Sequence, residues 1–366
     1  MTQLNFTLQT LTPIFIGSGE ELRKDFDFAI HDGGTYRLNS DVILEKKYRP
    51  NGSFVPGRLL DKDDFRKREF FRYLVRGTPR SEKTDARLMA CIKDVYECPY
   101  IPGSSIKGAI RTALAKDKIQ KCSLRLYDRI RDRGKKADNE IESALFGPDP
   151  NSDVFRALQV SDAMMATERR RPGGGLFIAN ATPISRSLSA TGTSVQIELE
   201  AVRKMQRFTG TLTFDDFLLN GKFSDRAEIF ENWIDTMRDA GYERLEWLID
   251  WFKGVDSSDM IDKSLKDMLK LKAYEIPHAL IQIGGGTGWD GMTYGKLLQD
   301  KDPTQFEIMI EELKILRPTC GGFPRRTEKQ LFPSSKKVVL DPKTGWKPAS
   351  LLGWCLLVFE KKAGSK

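Results

Sequence analysis

Apolar residues along this chain recur with two different periods, and the switch between them narrows the choice of fold more than any other feature. Over the first 220 residues they alternate: Leu4, Phe6 and Leu8; Phe26, Phe28 and Ile30; Leu158 and Val160; Val195, Ile197, Leu199 and Ala201; then a run from Phe208 to Phe214. A period of two marks half-buried strands. Residues 25–38 read as a β-hairpin turning at Asp32-Gly33-Gly34, with Tyr36 and Leu38 on the return strand. After Asn220 the spacing becomes helical. Phe230, Trp233, Ile234 and Met237 come first, then Leu245, Leu248, Trp251 and Phe252, then Ile261, Leu265, Met268 and Leu269. A strand at 279–283, a helix after Asp302-Pro303 and an apolar strand over 351–359 follow. The pattern predicts an α+β fold with β-rich parts around a helical insertion. No period of roughly 20–50 residues repeats, which argues against a solenoid.

Two further helices are expected in the β-rich part. Residues 57–74 are highly charged. Residues 105–121 follow Ser104 and Ser105, which suit a helix N-cap, and carry Ile106, Ala109, Ile110, Ala113 and Leu114 at core-facing spacing. The expected division is 1–220, an acidic helical insertion over 221–275, and an α/β part over 276–366.

Composition bears on partners. Lys+Arg number 59 against 51 Asp+Glu, a net charge of +8, and the excess is unevenly spread. Residues 99–136 hold 11 basic and 3 acidic side chains, and residues 314–347 hold 9 and 2. Residues 215–267 hold 7 basic and 14 acidic. Two basic blocks near glycine-rich loops suit an extended anion-binding face, although any single block also reads as a solvated helix surface. The five cysteines are odd in number and form no CxxC pair, so neither a disulfide framework nor a cysteine zinc site is expected. No signal peptide or spanning apolar run is evident, and the chain reads as soluble and cytoplasmic.

The stretch from Tyr100 to Leu114 is the most informative. Pro102-Gly103 turns the chain into a helix start, where unpaired N–H groups and the positive end of the dipole can seat a phosphate. Ser104, Lys107 and Arg111 recur at i, i+3 and i+7 and share a face. That face is either a phosphate seat or the solvated side of an ordinary capped helix.

Ile283 to Gly291 holds a GxGxxG spacing at Gly286, Gly288 and Gly291. One reading is a nucleotide-binding enzyme, though the motif lies far from the chain start that a dinucleotide fold usually gives it. The other is a loop whose backbone N–H groups approach an anion. Trp289 either stacks on a base or packs on a helix. Gly321 to Thr327 sets Arg325 and Arg326 beside a turn and an aromatic.

Catalytic constellations are scarce. The two histidines, His31 and His278, lie far apart in sequence, and no metalloprotease or nucleophile-elbow motif occurs. Asp25/Asp27 and Asp215/Asp216 are carboxylate pairs of the type that can hold Mg²⁺, as an endoribonuclease needs. Nothing marks them off from surface acids. No metal or cofactor is expected.

Four segments, in this order, resemble the RAMP superfamily, the RNA-binding subunits of CRISPR effector complexes. Leu11 to Glu20 (LTPIFIGSGE) looks like the family's N-terminal strand and loop. Tyr100 to Leu114 (YIPGSSIKGAIRTAL) looks like its next signature, and Ile283 to Gly288 is similar to its glycine-rich loop. Phe323 to Thr327, with Leu352-Gly353-Trp354, is similar to the ending found in type III-A (Csm) members.

The resemblance implies an RRM-like (ferredoxin-like) core with β-hairpin and helical insertions. It implies a non-catalytic subunit that holds the 3′ part of the crRNA and supports crRNA maturation and complex assembly. Its partners are then crRNA, target RNA in the assembled complex, the backbone RAMP subunit, the small subunit and host nucleases. The RNA-binding positions it marks are Gly17, Ser18, Gly19, Ser104, Ser105, Lys107, Arg111, Gly284, Gly285, Gly286, Gly288, Arg325 and Arg326. The order Arg325-Arg326-Thr327 departs from the family's Thr-Arg, which leaves open which arginine takes the motif's role. Arg169 to Gly175 lies where the family carries a variable insertion or thumb; from its residues it reads as a loop or a poorly ordered excursion. The alternative function is an endoribonuclease acting on crRNA or target RNA.

Overall fold

The computed structural model describes residues 2–47, 60–81, 86–121, 139–185, 195–255, 258–312, 319–320, 323–324 and 332–360. An antiparallel sheet runs in the order His278–Gln282, Trp354–Glu360, Thr2–Thr10, Arg207–Phe214, Leu158–Val160. Met164–Met165 also pairs with Arg207–Phe214. Along the chain, strand Thr2–Thr10, helix Gly103–Lys121, strands Leu158–Val160 and Arg207–Phe214, helix Trp233–Phe252 and strand Trp354–Glu360 give the β-α-β-β-α-β order of a ferredoxin-like fold. Strand His278–Gln282 is an added edge.

Alternation decides which face is buried. Phe6 and Leu8 point to one side with Phe208, Leu212, Leu357 and Phe359, and all are buried in the main core. Ile106, Ile110, Leu114, Ala115 and Ile119 of helix Gly103–Lys121 fill the same core. Each such Ile or Leu contributes roughly 2 kcal/mol of burial. The expected helix at 105–121 therefore forms, starting two residues earlier. The two helical stripes at 233–252 belong to one 20-residue helix. Its second half packs with helix Asp259–Leu269 on Leu280, Trp354 and Leu356, on the opposite face of the sheet. Strands of the 1–220 and 276–366 segments thus lie side by side, and the helix of the 221–275 segment packs on them.

A second sheet, with nine strands among the described residues, runs Gly17–Arg23, Arg87–Cys91, Ile197–Val202, Leu176–Ser185, Phe71–Arg76, Gly34–Leu38, Phe28–His31. Strand Ser335–Asp341 joins it by pairing with Leu176–Ser185, and Lys347–Ser350 pairs with that strand in turn. The expected hairpin at 25–38 is present, with Asp32 and Gly33 both at positive φ as a tight turn between right-twisting strands requires.

The charged stretch at 57–74 does not form the expected helix. Lys62–Arg66 and Arg68–Phe70 are 3₁₀ turns, followed by strand Phe71–Arg76; residues 57–59 lie outside the described residues. Two forces override helical propensity. Tyr73 and Val75 are buried between exposed Arg72, Leu74 and Arg76, a strand pattern that pairs with Gly34–Leu38. Asp64, nearly buried, accepts hydrogen bonds from the Asp61 amide, Lys67 and Lys47, which fixes a tight turn. Burial works against its ionisation, yet these bonds hold its carboxyl down to about 2.

Candidate nucleic-acid interface

Three of the four signature segments converge. Leu11 and Thr12 donate their N–H groups to the Trp354 carbonyl at 2.9 and 3.3 Å, and the Trp354 amide donates to Thr12 Oγ1 at 2.9 Å. The Gly353 amide reaches the Pro13 carbonyl at 2.8 Å, and the Ile283 amide reaches the Gly353 carbonyl at 2.9 Å. The Gly285 amide donates to the Phe15 carbonyl at 2.8 Å. Residues 11–16, 283–285 and 352–354 are therefore zipped through their backbones.

Gly284 shows why this needs glycine. Its φ is +77°, and a Cβ there falls 2.2 Å from the Phe15 carbonyl oxygen. Any side chain forces the two loops apart.

Beyond the zipper the N-terminal loop turns outward. Gly17, Ser18 and Gly19 are exposed. Pairing with strand Arg87–Cys91 shifts register between Gly17 and Glu21, a bulge that frees main chain from the ladder. Ser18 Oγ accepts the Glu20 amide at 3.2 Å and lies 3.4 Å from the Ala90 carbonyl. Gly285 and Gly288 are exposed, while Gly284 and Gly286 are half-buried. Gly286 packs against Leu352.

The helix start is arranged differently. The Gly103 amide donates to Asp162 Oδ1 at 2.8 Å, so a carboxylate of the protein already caps it. Ser104 is exposed and Ser105 half-buried. Lys107 donates to the Leu158 carbonyl at 2.7 Å, and burial lowers its pKa. Arg111 donates to Glu142 at 2.6 Å and to Asp153 at 2.8 Å, with its guanidinium 3.7 Å from the Phe146 ring centre. Both cations of this face are thus engaged inside the fold, and its exposed polar group is Ser104. Arg325 and Arg326 lie outside the described residues.

The loop at 169–175 is packed, not a poorly ordered excursion. Gly173, Gly174 and Gly175 are buried, and the Gly173 amide donates to the Glu97 carbonyl at 2.8 Å. Gly173 has φ +64°, and a Cβ there meets the Tyr73 ring at 2.7 Å. The sequence held a clue: three glycines in a row suit close backbone approach as well as disorder.

Other candidates resolve into structural parts. Trp289 packs edge-on to Phe332 at 4.7 Å and beside Phe306 at 5.8 Å, which answers the base-stacking reading with core packing. Strand His278–Gln282 pairs antiparallel with Trp354–Glu360, and Gly284–Gly286 is a 3₁₀ turn docked on Phe15, so the glycines do not open a parallel βαβ unit. Asp27 accepts the Arg23 amide and faces Arg37, and Asp215 caps Leu218. His278 is fully buried between Tyr242 Oη and the Ile276 carbonyl, and His31 stacks on Phe65 at 4.1 Å. Among the described residues no group of three or more His, Cys, Asp or Glu could hold a metal ion, and no helix is long and apolar enough to cross a membrane. A cavity of about 530 Å³ lies between helices Gly103–Lys121 and Trp233–Phe252, with Asp117, Asp235, Asp239, Glu243 and Asp300 among its lining.

In the wall of that cavity, Asp290 is ringed by cations that sequence reading missed. Arg244 lies 2.8 Å from it, Lys336 pairs with it, and Lys116 donates to its carbonyl at 2.9 Å. Lys116 and Lys336 are pushed down to about 8, chiefly by burial, while Asp290 is held below its ordinary value by Arg244 and Lys336 against the effect of burial. The cluster ties the glycine-loop segment to both core helices and to strand Ser335–Asp341.

The ferredoxin-like core, the zipped N-terminal and glycine-rich loops and the second sheet define a class of protein, and comparison with known families agrees: residues 7–289 match the RAMP superfamily, and the chain belongs to it. Within that superfamily, it is 27% identical over 181 residues to "CRISPR system Cms protein Csm5" of Methanocaldococcus jannaschii, covering 43% of this chain and 41% of that one. It is 28% identical over 191 residues to the protein of the same name from Streptococcus thermophilus, covering 45% and 52%. The matches thus span about half the length of these curated relatives. The fold is also that of a chain in the cryo-EM structure of a Csm-crRNA-target RNA ternary complex of a type III-A CRISPR-Cas system, with TM-score 0.71, 20% identity and coverage of 98% of this chain and 100% of that one. The crystal structure of T. onnurineus Csm5 matches with TM-score 0.63 and 17% identity over 96% and 99%.

Proposed function

We propose that this chain is a Csm5-type subunit of a type III-A CRISPR ribonucleoprotein in the cytoplasm. It holds the 3′ part of the crRNA, supports crRNA maturation and complex assembly, and leaves cutting to other components. The observation that carries this reading is the zipper joining the Leu11–Ile16, Ile283–Gly285 and Leu352–Trp354 segments, within a chain whose family match covers residues 7–289. The zipper sets the exposed residues Gly17, Ser18 and Gly19 and the exposed Gly288 around one junction, while the Gly285 amide is spent on the Phe15 carbonyl. Backbone N–H groups there suit phosphates, which position RNA without reading its sequence.

The open part of the core sheet supports the same division of labour. Asn5, Thr7, Gln9, Thr209, Thr211 and Thr213 line it, with no aromatic among them for bases to stack on as in an RRM. The non-catalytic part of the proposal rests on the two histidines, one buried and one stacked, neither beside the junction loops. Partners by the same reading are crRNA, target RNA, the backbone RAMP subunit and the small subunit, with host nucleases completing maturation. Crosslinking the assembled complex and mapping the crRNA nucleotides joined to this chain tests it.

A further inference from the structure

We infer that Arg76, Arg171 and Arg203, together with exposed Tyr96, form a second contact surface for single-stranded RNA at one end of the nine-stranded sheet. The inference rests on the RNA-binding reading and adds a site outside the signature segments.

Strands Ile197–Val202, Leu176–Ser185 and Phe71–Arg76 are neighbours in the sheet. Val202 pairs with Leu176, and Arg76 with Phe177. Arg203, the loop ending at Gly175 and Arg76 therefore emerge level with one another. Arg171 lies in that loop. Arg76 and Arg171 are exposed and Arg203 is half-buried.

Among the described residues, no carboxylate comes within ion-pair distance of these three, whereas Arg37, Arg72, Arg87, Arg111, Arg170 and Arg244 each have one. Among the described residues, the Arg203 Nε group meets the Gly175 carbonyl, at 3.5 Å. Burial and the nearby charges of Arg76 and Arg171 lower the Arg203 pKa, which places the three within electrostatic reach of one another. Like charges held together without a counter-charge cost free energy that a bound polyanion relieves.

The loop carrying Arg171 is tethered at both ends of its glycine run, by the Gly174 amide to the Arg171 carbonyl and by the Arg203 amide to the Gly175 carbonyl. The Gly173–Glu97 hydrogen bond also brings the turn at Asp94–Glu97 against it. Arg170 reinforces the link, pairing with Asp94 at 2.5 Å. That turn presents Val95 at 92% and Tyr96 at 67% exposure, large values for an apolar pair. Arg170 lies 5.7 Å from the Tyr96 ring. A preorganised arginine cluster beside an exposed aromatic suits phosphates on one side and an unpaired base on the other. Duplex RNA offers no free base face for Tyr96, so the ligand is single-stranded.

The test is fluorescence anisotropy of a labelled single-stranded RNA with the full-length chain across a salt series. The variants are the Arg76→Ala/Arg171→Ala double, the triple that adds Arg203→Ala, and Tyr96→Ala. The double uses exposed positions only and keeps the result readable if Arg203 also serves folding. The triple is expected to lose at least about tenfold in affinity and to flatten the log affinity against log salt slope by about 2, since three phosphate contacts are removed. Tyr96→Ala is expected to lose roughly five- to a hundredfold with its slope unchanged. If the wild type binds and the variants match it in affinity and slope, this surface is wrong and the RNA-binding reading stands. If the wild-type chain binds no RNA, that reading fails and this surface with it.

Discussion

Arg111 sits between Glu142 and Asp153 and over the Phe146 ring, with its side chain only 23% exposed. Arg111→Ala strands two carboxylates in a half-buried setting, and we expect it to cost about 3 kcal/mol of stability in urea unfolding. A variant with wild-type stability and weakened RNA binding would contradict this placement. In the sequence, Arg111 shares a helix face with Ser104 and Lys107, and helical spacing correctly groups them. It could not show that Glu142 and Asp153, 31 and 42 positions later, fold back onto the guanidinium. The same limit hid the cluster around Asp290. Lys116 and Lys336, ordinarily near 10.5, stand at about 8 in the folded chain. Between these values the unfolded chain binds more protons than the folded one, so their contribution to stability rises with pH. We expect that rise between about pH 8 and 10 to be smaller in Lys336→Met than in wild type, read from unfolding midpoints. Equal slopes would argue against a depressed Lys336.

At the scale of elements, the junction of the N-terminal and glycine-rich loops depends on close backbone approach. Gly19 and Gly284 share a positive φ, but a Cβ on Gly19 meets nothing within 4 Å, whereas one on Gly284 collides with the Phe15 carbonyl. Gly19→Ala is therefore expected to cost about 1 kcal/mol of backbone strain, and Gly284→Ala distinctly more, in side-by-side thermal melts. Equal losses would remove the close approach as the cause. Elements were legible where one period ran uninterrupted. The hairpin at 25–38, the helix expected at 105–121 and the strand run from Phe208 to Phe214 follow from apolar spacing, helped by the Asp32-Gly33-Gly34 turn and the Ser104/Ser105 cap. The stretch at 57–74 did not, because its charges mask the Tyr73/Val75 alternation and Asp64 draws in Lys47 from outside the window. That the two glycine-bearing segments would share one backbone zipper was also illegible, since spacing says nothing of which loops meet.

Across the whole molecule, charge and architecture fall into separate regions. The acidic helices pack on the edge-strand side of the core sheet and turn Asp239, Glu243, Glu246 and Asp250 to solvent. The glycine loops and the unpaired arginines lie elsewhere, on the junction and on the end of the second sheet. The first basic block, 99–136, looked in sequence like a track for RNA. Its described cations are largely spent on protein acceptors, among them Lys107, Arg111, Lys116, Lys118 and Lys121. The net positive charge thus suits the proposed polyanionic partner, but it does not point to the surface proposed to meet it. The most direct test of the account is ultraviolet crosslinking of the assembled ribonucleoprotein, with joined peptides and crRNA nucleotides both identified. The account predicts crosslinks from the 3′ part of the crRNA to peptides holding Gly17–Gly19 and Gly284–Gly288. Crosslinks confined to the acidic helices, or a complex that carries its crRNA equally well without this chain, would contradict it.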